Sequence, residues 1–375
     1  MAEICFVVGA RPNFMKAAPV YQALTALGHD VDLVHTGQHY DPEMSDVFLE
    51  ELGLPVPDVF LGIGSGTHAE QTARALVGIE EILLERAPAL VVVSGDVNST
   101  LAGALAAAKL EIPVAHVESG LRSFDNSMPE EHNRRLTDHL STILFTHSAS
   151  AGSNLTREGI DQASIHKVGN TMIDSLLRNL DVARNRQPWK KLGLAPHGYG
   201  LVTLHRPELV DDPVLLRSTV AELVKLAKAL PLVFPIHPRT AERLSSFRFH
   251  RELGSGDIRI TDPLGYFDFL GLEAEARFVL TDSGGVQEEA SALGVRCFTL
   301  RNTTDRPITI ELGTNTLLGV EPRRIAEIPK LLTKPKQFEA IPLWDGRAGK
   351  RAAEVLSAFL REVEPVASER SSAGS

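Results

Sequence analysis

The feature that most constrains the fold is an alternation of short apolar runs and helical segments, which occurs twice along the chain. In the first half, runs such as Ile4–Val8, Leu90–Ser94 and Val114–Val117 are each followed by a segment with helical spacing. From about residue 200 the pattern restarts, with Gly200–Leu204 and Phe278–Thr281 among the predicted strands. Such alternation is typical of parallel sheets covered by helices. The sequence therefore predicts an α/β chain with two doubly wound units.

The length of 375 residues is enough for two or three domains with cores of their own. We expect an N-terminal domain over residues 1–170, joined by a C-terminal helix at 349–361, a second domain over 171–348, and a flexible tail from 362 to 375. Ligands of open α/β sheets bind beyond the carboxyl ends of the strands. A ligand is therefore expected in the cleft between the two domains.

Composition narrows the class of protein. The net charge of −10 and the pI near 5.7 disfavour a nucleic-acid partner. Cys5 and Cys297 lie far apart in apolar runs, which predicts buried thiols and a reducing compartment. No apolar run approaches the roughly 18 residues of a membrane span, and the first residues do not resemble a signal peptide. These observations predict a cytoplasmic protein with no membrane partner.

One stretch, Phe278–Ala290, indicates nucleotide binding. It predicts a strand, a turn at Ser283-Gly284-Gly285 and a helix that opens near Val286. Glycines allow close approach of a ligand, and the unpaired amides of a helix start suit a phosphate. Glu288 and Glu289 follow in the first turn, and a carboxylate at this place has the chemistry to accept both hydroxyls of a ribose. The alternative is an ordinary strand-to-helix turn.

The sequence lacks the motifs that would indicate a nicotinamide cofactor or a metal site. Gly9–Lys16 is not a P-loop, because Met15 occupies the position that requires a glycine. Gly62–Gly66 follows no convincing strand and is interpreted as a surface loop, and no G-x-G-x-x-G follows the first strand. His132 and His139 are seven residues apart, too far for a zinc-binding helix pair. We therefore predict neither a nicotinamide cofactor nor a metal.

Ionisable residues gather at the predicted strand ends, where loops usually carry function. The first half supplies Arg11, Lys16, Asp96 and Glu118; the second supplies His205, His237 and the 282–289 loop. Any one of these groups alone is consistent with a solvated loop charge. Their number at strand ends predicts a functional site.

Three details leave alternatives open. Arg306 has the planar fork to clamp a diphosphate, or it pairs with Asp305. Glu131 is expected to stabilise the start of its helix. Ser99 or Thr100 is expected to cap the Ala-rich helix that runs to residue 109.

Several motifs then occur in a fixed order through both halves: Gly9-Ala10-Arg11-Pro12, His35–His39, Ser94-Gly95-Asp96, His116–Arg122, Pro129–Arg134, Val168–Thr171, His205-Arg206, Thr281–Ala290 and Thr304–Pro307. Together they resemble the non-hydrolysing UDP-N-acetylglucosamine 2-epimerases. The resemblance covers about residues 4 to 360. It is far more specific than any single motif.

The resemblance implies the GT-B fold, two doubly wound Rossmann-like domains facing across a cleft. It implies reversible conversion of UDP-GlcNAc to UDP-ManNAc without metal or cofactor. In the family, anti elimination of UDP gives 2-acetamidoglucal, and UDP then adds back. The family also suggests a homodimer, and closure of the two domains is expected to accompany catalysis.

The resemblance also assigns the site. The catalytic residues are Asp96, Glu118, Glu130 and His205. The substrate-binding residues are Arg11, Lys16 and Arg306 for the diphosphate, Ser283, Gly284, Gly285 and Glu289 for phosphate and ribose, His237, and Phe269 near the uracil. Phe269 is equally consistent with an ordinary core residue. Crowding of the three carboxylates is expected to raise at least one pKa, and the sequence does not say which carboxylate is the C2 base.

One departure from the family concerns regulation. Pro207 stands where many bacterial members have an arginine that helps form an allosteric site for a second UDP-GlcNAc. Proline provides neither a donor nor a charge, which puts allosteric activation in doubt. Gln38, His39 and Gln71 remain as weak candidates for such a site.

Three rival functions remain. A hydrolysing relative would release UDP and free ManNAc from the same cleft. A GT-B glycosyltransferase would have no reason to cluster Asp96, Glu118 and Glu130. A non-catalytic nucleotide-sugar sensor would have lost some of these carboxylates, and all three are present.

Overall fold

The computed structural model describes residues 3–38, 49–334 and 337–372; the side chains of Arg11, Pro12, His250 and residues 363–372 lie outside that description. The chain forms two compact units. The first comprises residues 1–177 and 342–375, and the second residues 178–341. The division falls inside one helix, a few residues beyond the predicted boundary.

A parallel sheet with strand order β3-β2-β1-β4-β5-β6-β7 forms the centre of the first unit. Ile4 of β1 pairs with Val31 of β2 on one side and with Leu90 of β4 on the other. The order therefore reverses between β1 and β4. The strands are β1 Ile4–Val8, β2 Val31–His35, β3 Val59–Phe60, β4 Leu90–Ser94, β5 Val114–Val117, β6 Ile143–Thr146 and β7 Ile165–Lys167.

The helices of the first unit follow these strands in turn. They are α1 Arg11–Ala26, α2 His68–Arg86, α3 Asn98–Lys109, α4 Pro129–Leu140, α5 Ala149–Arg157, α6 Thr171–Arg186, which crosses into the second unit, and the C-terminal helix α16 Ala348–Ser372, with a 3₁₀ turn at Gln162–Ser164. Helix α16 packs against α1, which places the end of the chain in the first unit.

The second unit repeats the architecture with a parallel sheet of order β10-β9-β8-β11-β12-β13. Here the order reverses between β8 and β11. The strands are β8 Gly200–Thr203, β9 Leu232–Pro235, β10 Ile258–Thr261, β11 Phe278–Thr281, β12 Arg296–Thr299 and β13 Asn315–Leu317. The prediction of two doubly wound units is confirmed.

The remaining helices belong to the second unit. They are α7 Pro188–Lys191, α8 Pro207–Val210, α9 Pro213–Leu226, α10 Pro238–Ser246, α11 His250–Leu253, α12 Tyr266–Ala274, α13 Gly284–Leu293, α14 Ile308–Glu311 and α15 Ile328–Leu332, with a 3₁₀ turn at Pro322–Glu327. No helix in the described part of the chain is both long and apolar enough to cross a bilayer.

The central strands are buried along their whole length. All five residues of β1, β2 and β4 are buried, as expected for parallel strands covered on both faces. In the second unit, Phe278 and Phe298 pack edge to face inside one apolar cluster. This burial leaves the strand ends as the places where polar side chains reach solvent.

Several expectations about element boundaries are corrected. The loop at Gly62–Gly66 does follow a strand, because Val59–Phe60 pairs with β2. Helix α3 begins at Asn98 with Val97 as its N-cap, so neither Ser99 nor Thr100 caps it. Their hydroxyls bond elsewhere: Thr100 donates to the Ser94 carbonyl at 2.8 Å, and Ser99 contacts Gln38. Helix α16 spans Ala348–Ser372, longer than the C-terminal helix predicted at 349–361.

The segment that returns to the first unit passes very close to Gly169. Gly169 has φ +96°, and a Cβ there would lie 2.1 Å from the Leu343 carbonyl oxygen. Arg351 donates to the Val168 carbonyl at 3.0 Å, which fixes the same contact. Only glycine satisfies both the conformation and the approach.

We expect Gly169→Ala to destabilise the protein by about 2–5 kcal/mol. The cost of a left-handed backbone conformation for alanine and the cost of the clash of its Cβ with the Leu343 carbonyl would add. The control is Gly159→Ala, at φ +87° with no atom within 4 Å, which isolates the conformational part, about 1–2 kcal/mol. Denaturant unfolding of both variants measures the difference. Equal losses would contradict the close contact.

Candidate active site

The first group of predicted site residues lies at the carboxyl edge of the first sheet, beside the reversal of strand order. Asp96 follows β4, Glu118 follows β5, and Lys16 lies on α1, the helix after β1. The strands that precede these three residues, β1, β4 and β5, are neighbours in the sheet. In open α/β sheets this edge is where ligands bind.

Glu118 is held in an unusual conformation. Its φ is +69°, a left-handed value that costs a non-glycine residue about 1–3 kcal/mol. The side chain is 8% exposed and forms an ion pair with the ammonium of Lys16, itself 9% exposed. The strained backbone therefore directs this carboxylate at a buried cation.

Asp96 is fixed by helix α4. Its carboxylate forms an ion pair with Arg134 and is 22% exposed. Its carbonyl accepts a hydrogen bond of 2.9 Å from the Asn133 side chain. Consecutive residues of α4 thus hold the backbone and the carboxylate of Asp96.

Two adjacent glutamates at the start of α4 differ completely. Glu130 is partly exposed, and within the described residues its carboxylate has neither an ion pair nor a hydrogen bond. Glu131 is 1% exposed and accepts from the Ser123 amide and hydroxyl, both at 2.9 Å, and from the Phe124 amide at 3.1 Å. Glu131 therefore fastens the preceding loop, a more specific role than the predicted stabilisation of the helix start.

A fully buried charge cluster supports this edge, and the sequence analysis did not find it. Asp138 contacts His116 Nδ1 at 2.7 Å and Arg122 Nη1 at 2.7 Å. His116 Nε2 lies 2.8 Å from the Gly95 carbonyl oxygen, and since a carbonyl only accepts, this nitrogen carries a proton. The cluster thus holds the peptide before Asp96 and the strand before Glu118.

In the second unit, His205 is positioned by a buried aspartate. His205 Nδ1 lies 3.1 Å from Asp282 Oδ1, and the other oxygen of Asp282 accepts from the amides of His205 and Arg206, each at 2.8 Å. Burial alone would raise the pKa of Asp282, but the hydrogen bonds from His205 and Arg206 hold it below its usual value. Asp282 orients His205; the sequence placed it in the 282–289 loop after β11 but predicted no role for it.

His237 lies beside His205, with ring centroids 5.2 Å apart. Its Nδ1 accepts from the Arg239 amide at 3.2 Å and so caps helix α10. That bond places the ring proton of a neutral His237 on Nε2.

The turn at Ser283-Gly284-Gly285 begins helix α13, and Arg306 lies directly over it. A Cβ on Gly284 would lie 2.5 Å from Arg306 Nη1, so a larger residue there would have to displace the guanidinium. Arg306 also pairs with Asp305 and, at 2.9 Å, with Glu288. A guanidinium and helix-start amides thus meet at one point, a combination suited to phosphate.

The remaining predicted residues are placed as follows. Glu289 is 6% exposed on α13. Phe269 on α12 is half-buried against the apolar cluster around Val279, which fits the core alternative. Arg11 opens α1, and its side chain lies outside the described part.

The polar residues considered for regulation are used internally. The Gln38 amide oxygen accepts from Ser99, and the Gln71 amide bonds to Asn98 and the Gly64 carbonyl. His39 lies outside the described residues. Over the ranges that the structure describes, no cluster of His, Cys, Asp or Glu is arranged to hold a metal ion.

Comparison with known proteins defines the class. The family model for UDP-N-acetylglucosamine 2-epimerase matches residues 22–357. The UDP-N-acetylglucosamine 2-epimerase of Methanocaldococcus jannaschii is 44% identical over 95% of this chain and 99% of its own. The UDP-2,3-diacetamido-2,3-dideoxy-D-glucuronate 2-epimerase of Pseudomonas aeruginosa is 42% identical over 95% of this chain and 99% of its own.

The fold is shared as well. A crystal structure of the M. jannaschii UDP-GlcNAc 2-epimerase in complex with UDP-GlcNAc and UDP superposes with a TM-score of 0.88 at 44% identity, covering 95% of this chain and 99% of that one. The architecture is accordingly of the GT-B type, with two Rossmann-like units. The chain belongs to the UDP-N-acetylglucosamine 2-epimerase family.

Glu130 and Glu131 give a matched test of the site. We expect Glu131→Gln to lower the free energy of unfolding by about 1–3 kcal/mol, because buried amides lose a charged acceptor. Glu130→Gln should change stability by less than about 0.5 kcal/mol, since its side chain is partly exposed and bonded to nothing described. Denaturant unfolding of both variants measures this, and equal losses would refute the distinction.

Proposed function

We propose that this chain interconverts UDP-GlcNAc and UDP-ManNAc without hydrolysis. The observation that carries the proposal is the set of carboxylates at the carboxyl edge of the first sheet. Asp96 and Glu118 follow adjacent strands, and Glu130 opens the next helix. Membership of the 2-epimerase family gives this arrangement its chemical interpretation.

The proposed reaction is an anti elimination followed by re-addition. A base removes the C2 proton, the C1–C2 double bond of 2-acetamidoglucal forms, and the C1–O bond breaks with its electron pair going to UDP. UDP oxygen then attacks C1 while a proton is delivered to the opposite face of C2. No water, metal or redox cofactor enters the balance.

The first unit supplies the acid and base groups in this proposal. The ion pairs with Lys16 and Arg134 favour the ionised forms of Glu118 and Asp96, which a base requires. We assign abstraction of the single C2 proton to one of these two carboxylates and proton delivery to Glu130, which has no cation partner among the described residues. General acid–base groups of this kind contribute about 10²–10⁴-fold to a rate.

The second unit supplies the grip on the nucleotide. The amides of Ser283-Gly284-Gly285 and the guanidinium of Arg306 would hold the diphosphate, whose negative charge grows as the C1–O bond breaks. Glu289 would accept the ribose hydroxyls. His205, oriented by Asp282, would contact the phosphate or the sugar.

A second candidate substrate follows from one observation. The P. aeruginosa relative, which acts at C2 of a diacetamido uronate, is 42% identical, almost as similar as the M. jannaschii UDP-GlcNAc enzyme. The same elimination applies to both sugars. The substituents at C3 and C5 therefore have to be tested directly.

The test is incubation with each UDP-sugar in D₂O, followed by NMR at C2. Epimerisation predicts deuterium at C2 and a mixture of two UDP-sugars from UDP-GlcNAc. Accumulation of UDP and free sugar would instead show hydrolysis. Exchange only with the diacetamido uronate would move the activity to the second substrate, and no exchange with either would refute the proposal.

Glu118→Gln should reduce deuterium exchange by about 10²–10⁴-fold while UDP binding survives, because the amide cannot accept the proton. The control is Glu111→Gln, an exposed residue that shares the left-handed backbone, at φ +59°. NMR exchange and calorimetric binding of UDP measure the two effects. Retained exchange in Glu118→Gln would remove Glu118 from the chemistry.

The family resemblance also leads us to propose a cytoplasmic homodimer. Light scattering at micromolar concentration checks the assembly. A monomeric mass would contradict it.

A further inference from the structure

A buried carboxyl group in the second unit has no role in the proposed chemistry. Glu273 on helix α12 is 0% exposed. In the part of the chain that the structure describes, no donor reaches either of its oxygens. Its side chain faces that of Glu289 on α13, so two groups of acceptor oxygens meet in the interior.

Two ionised carboxylates in such contact would repel each other without compensation, so at least one carries a proton. Burial, the charge of Glu289 and their hydrogen bond raise the pKa of Glu273 well above its usual value. Burial and the charge of Glu288 raise the pKa of Glu289 to about 8, while the hydrogen bond from Glu273 acts in the opposite direction. Glu273 is also the more deeply buried of the two, at 0% exposed against 6% for Glu289, so it keeps the shared proton and donates it to Glu289.

Over the ranges that the structure describes, Glu289 forms no ion pair with a cation, and the charged neighbours that shift its pKa are both glutamates. Glu288, its neighbour in sequence, is itself paired with Arg306 at 2.9 Å. Strands β11 and β13 carry no titratable side chain, and α14 carries Glu311, which is exposed. The other titratable groups on elements packed against α13 are Tyr266 and Asp268 on α12 and Arg296 and Cys297 on β12.

We propose that Glu273 is a positioning residue that donates its buried proton to Glu289 and so holds the Glu289 carboxylate ready for the two hydroxyls of a ribose. The inference rests on the proposed function, in which Glu289 meets that ribose. When a nucleoside diphosphate binds, the proton of Glu289 leaves to solvent and that of Glu273 stays. Two ribose hydroxyls then donate to Glu289 together with Glu273.

The protonation state of Glu289 determines how affinity for the ribose changes with pH. Because the pKa of Glu289 is raised, the group is protonated in the free protein below about pH 8. The ionised form accepts from both hydroxyls, so affinity for the ribose rises with pH and levels off above that value. One linked proton gives at most about a tenfold change in affinity per pH unit.

The wild-type protein alone provides the first test. Calorimetry compares UDP with 2′,3′-dideoxyuridine diphosphate between pH 6 and 9, in buffers of different ionisation enthalpy. Both probes carry the same phosphates, so their difference isolates the hydroxyls. We expect UDP to release an additional proton below about pH 8 and to gain affinity relative to the dideoxy compound as pH rises.

Variants of Glu273 provide the second test. Glu273→Leu removes the hydrogen-bond donor and keeps a similar side-chain volume. We expect this variant to bind UDP about tenfold more weakly at pH 7, and its affinity for UDP to rise over a pH range about one unit higher than in the wild type. Glu273→Gln keeps an N–H donor, so its affinity for UDP should show the pH dependence of the wild type. A purely structural Glu273 would lower affinity for both probes equally.

Each outcome decides. Two results would overturn the role of Glu273 while leaving the proposed function intact. One is an identical pH dependence of affinity for the two probes in the wild-type protein. The other is a rise of UDP affinity with pH that occurs over the same pH range in Glu273→Leu as in the wild type. Should Glu273→Leu fail to fold, the wild-type comparison and Glu273→Gln still decide. UDP that fails to bind at any pH would overturn the proposed function and this inference with it.

Discussion

The parallel pairing of every strand is the constraint on which the rest depends. Strands such as β1 and β4 are buried on both faces, so no functional polar group fits along them. The candidate site residues follow the strands at their carboxyl edges, and the reversal of strand order brings particular loops together there. Asp96 and Glu118 lie at this edge in one unit, and His205 and Asp282 in the other. The candidate site is thus a direct consequence of the sheets.

Charge compensation gives the two units different characters. In the first, Lys16 and Arg134 balance Glu118 and Asp96, which favours the ionised carboxylates. In the second, Arg306 balances Glu288, whereas Glu289 faces the carboxyl group of Glu273. Desolvation without a cation favours a bound proton, whereas desolvation beside a cation favours ionisation. In the proposed function, the first unit therefore moves protons, and the second binds the nucleotide through a carboxyl group that loses its proton on binding.

The sequence was sufficient for the elements and for the residues at strand ends. The long strands agree to within a residue, because their apolar runs and flanking glycines are strong local signals. The two-residue strand Val59–Phe60 is too short for a periodic signal. Hydrogen-bond partners that are distant in sequence could not be predicted without the tertiary structure. His205 and Asp282 are 77 positions apart, and no sequence pattern connects them. Ser99 was misjudged because its hydroxyl bonds across the fold to Gln38 and not to its own helix.

The central claim is that the C1–O bond of a UDP-sugar breaks and re-forms without water. It is tested most directly with UDP-GlcNAc that carries ¹⁸O in the bridge between C1 and the β-phosphorus, with the label followed by ³¹P NMR. If UDP is eliminated and added back, its β-phosphate rotates between the two steps, and the label moves from the bridge to non-bridging positions as UDP-ManNAc forms. Epimerisation with the label retained in the bridge would contradict the account, because the C1–O bond would then never have broken.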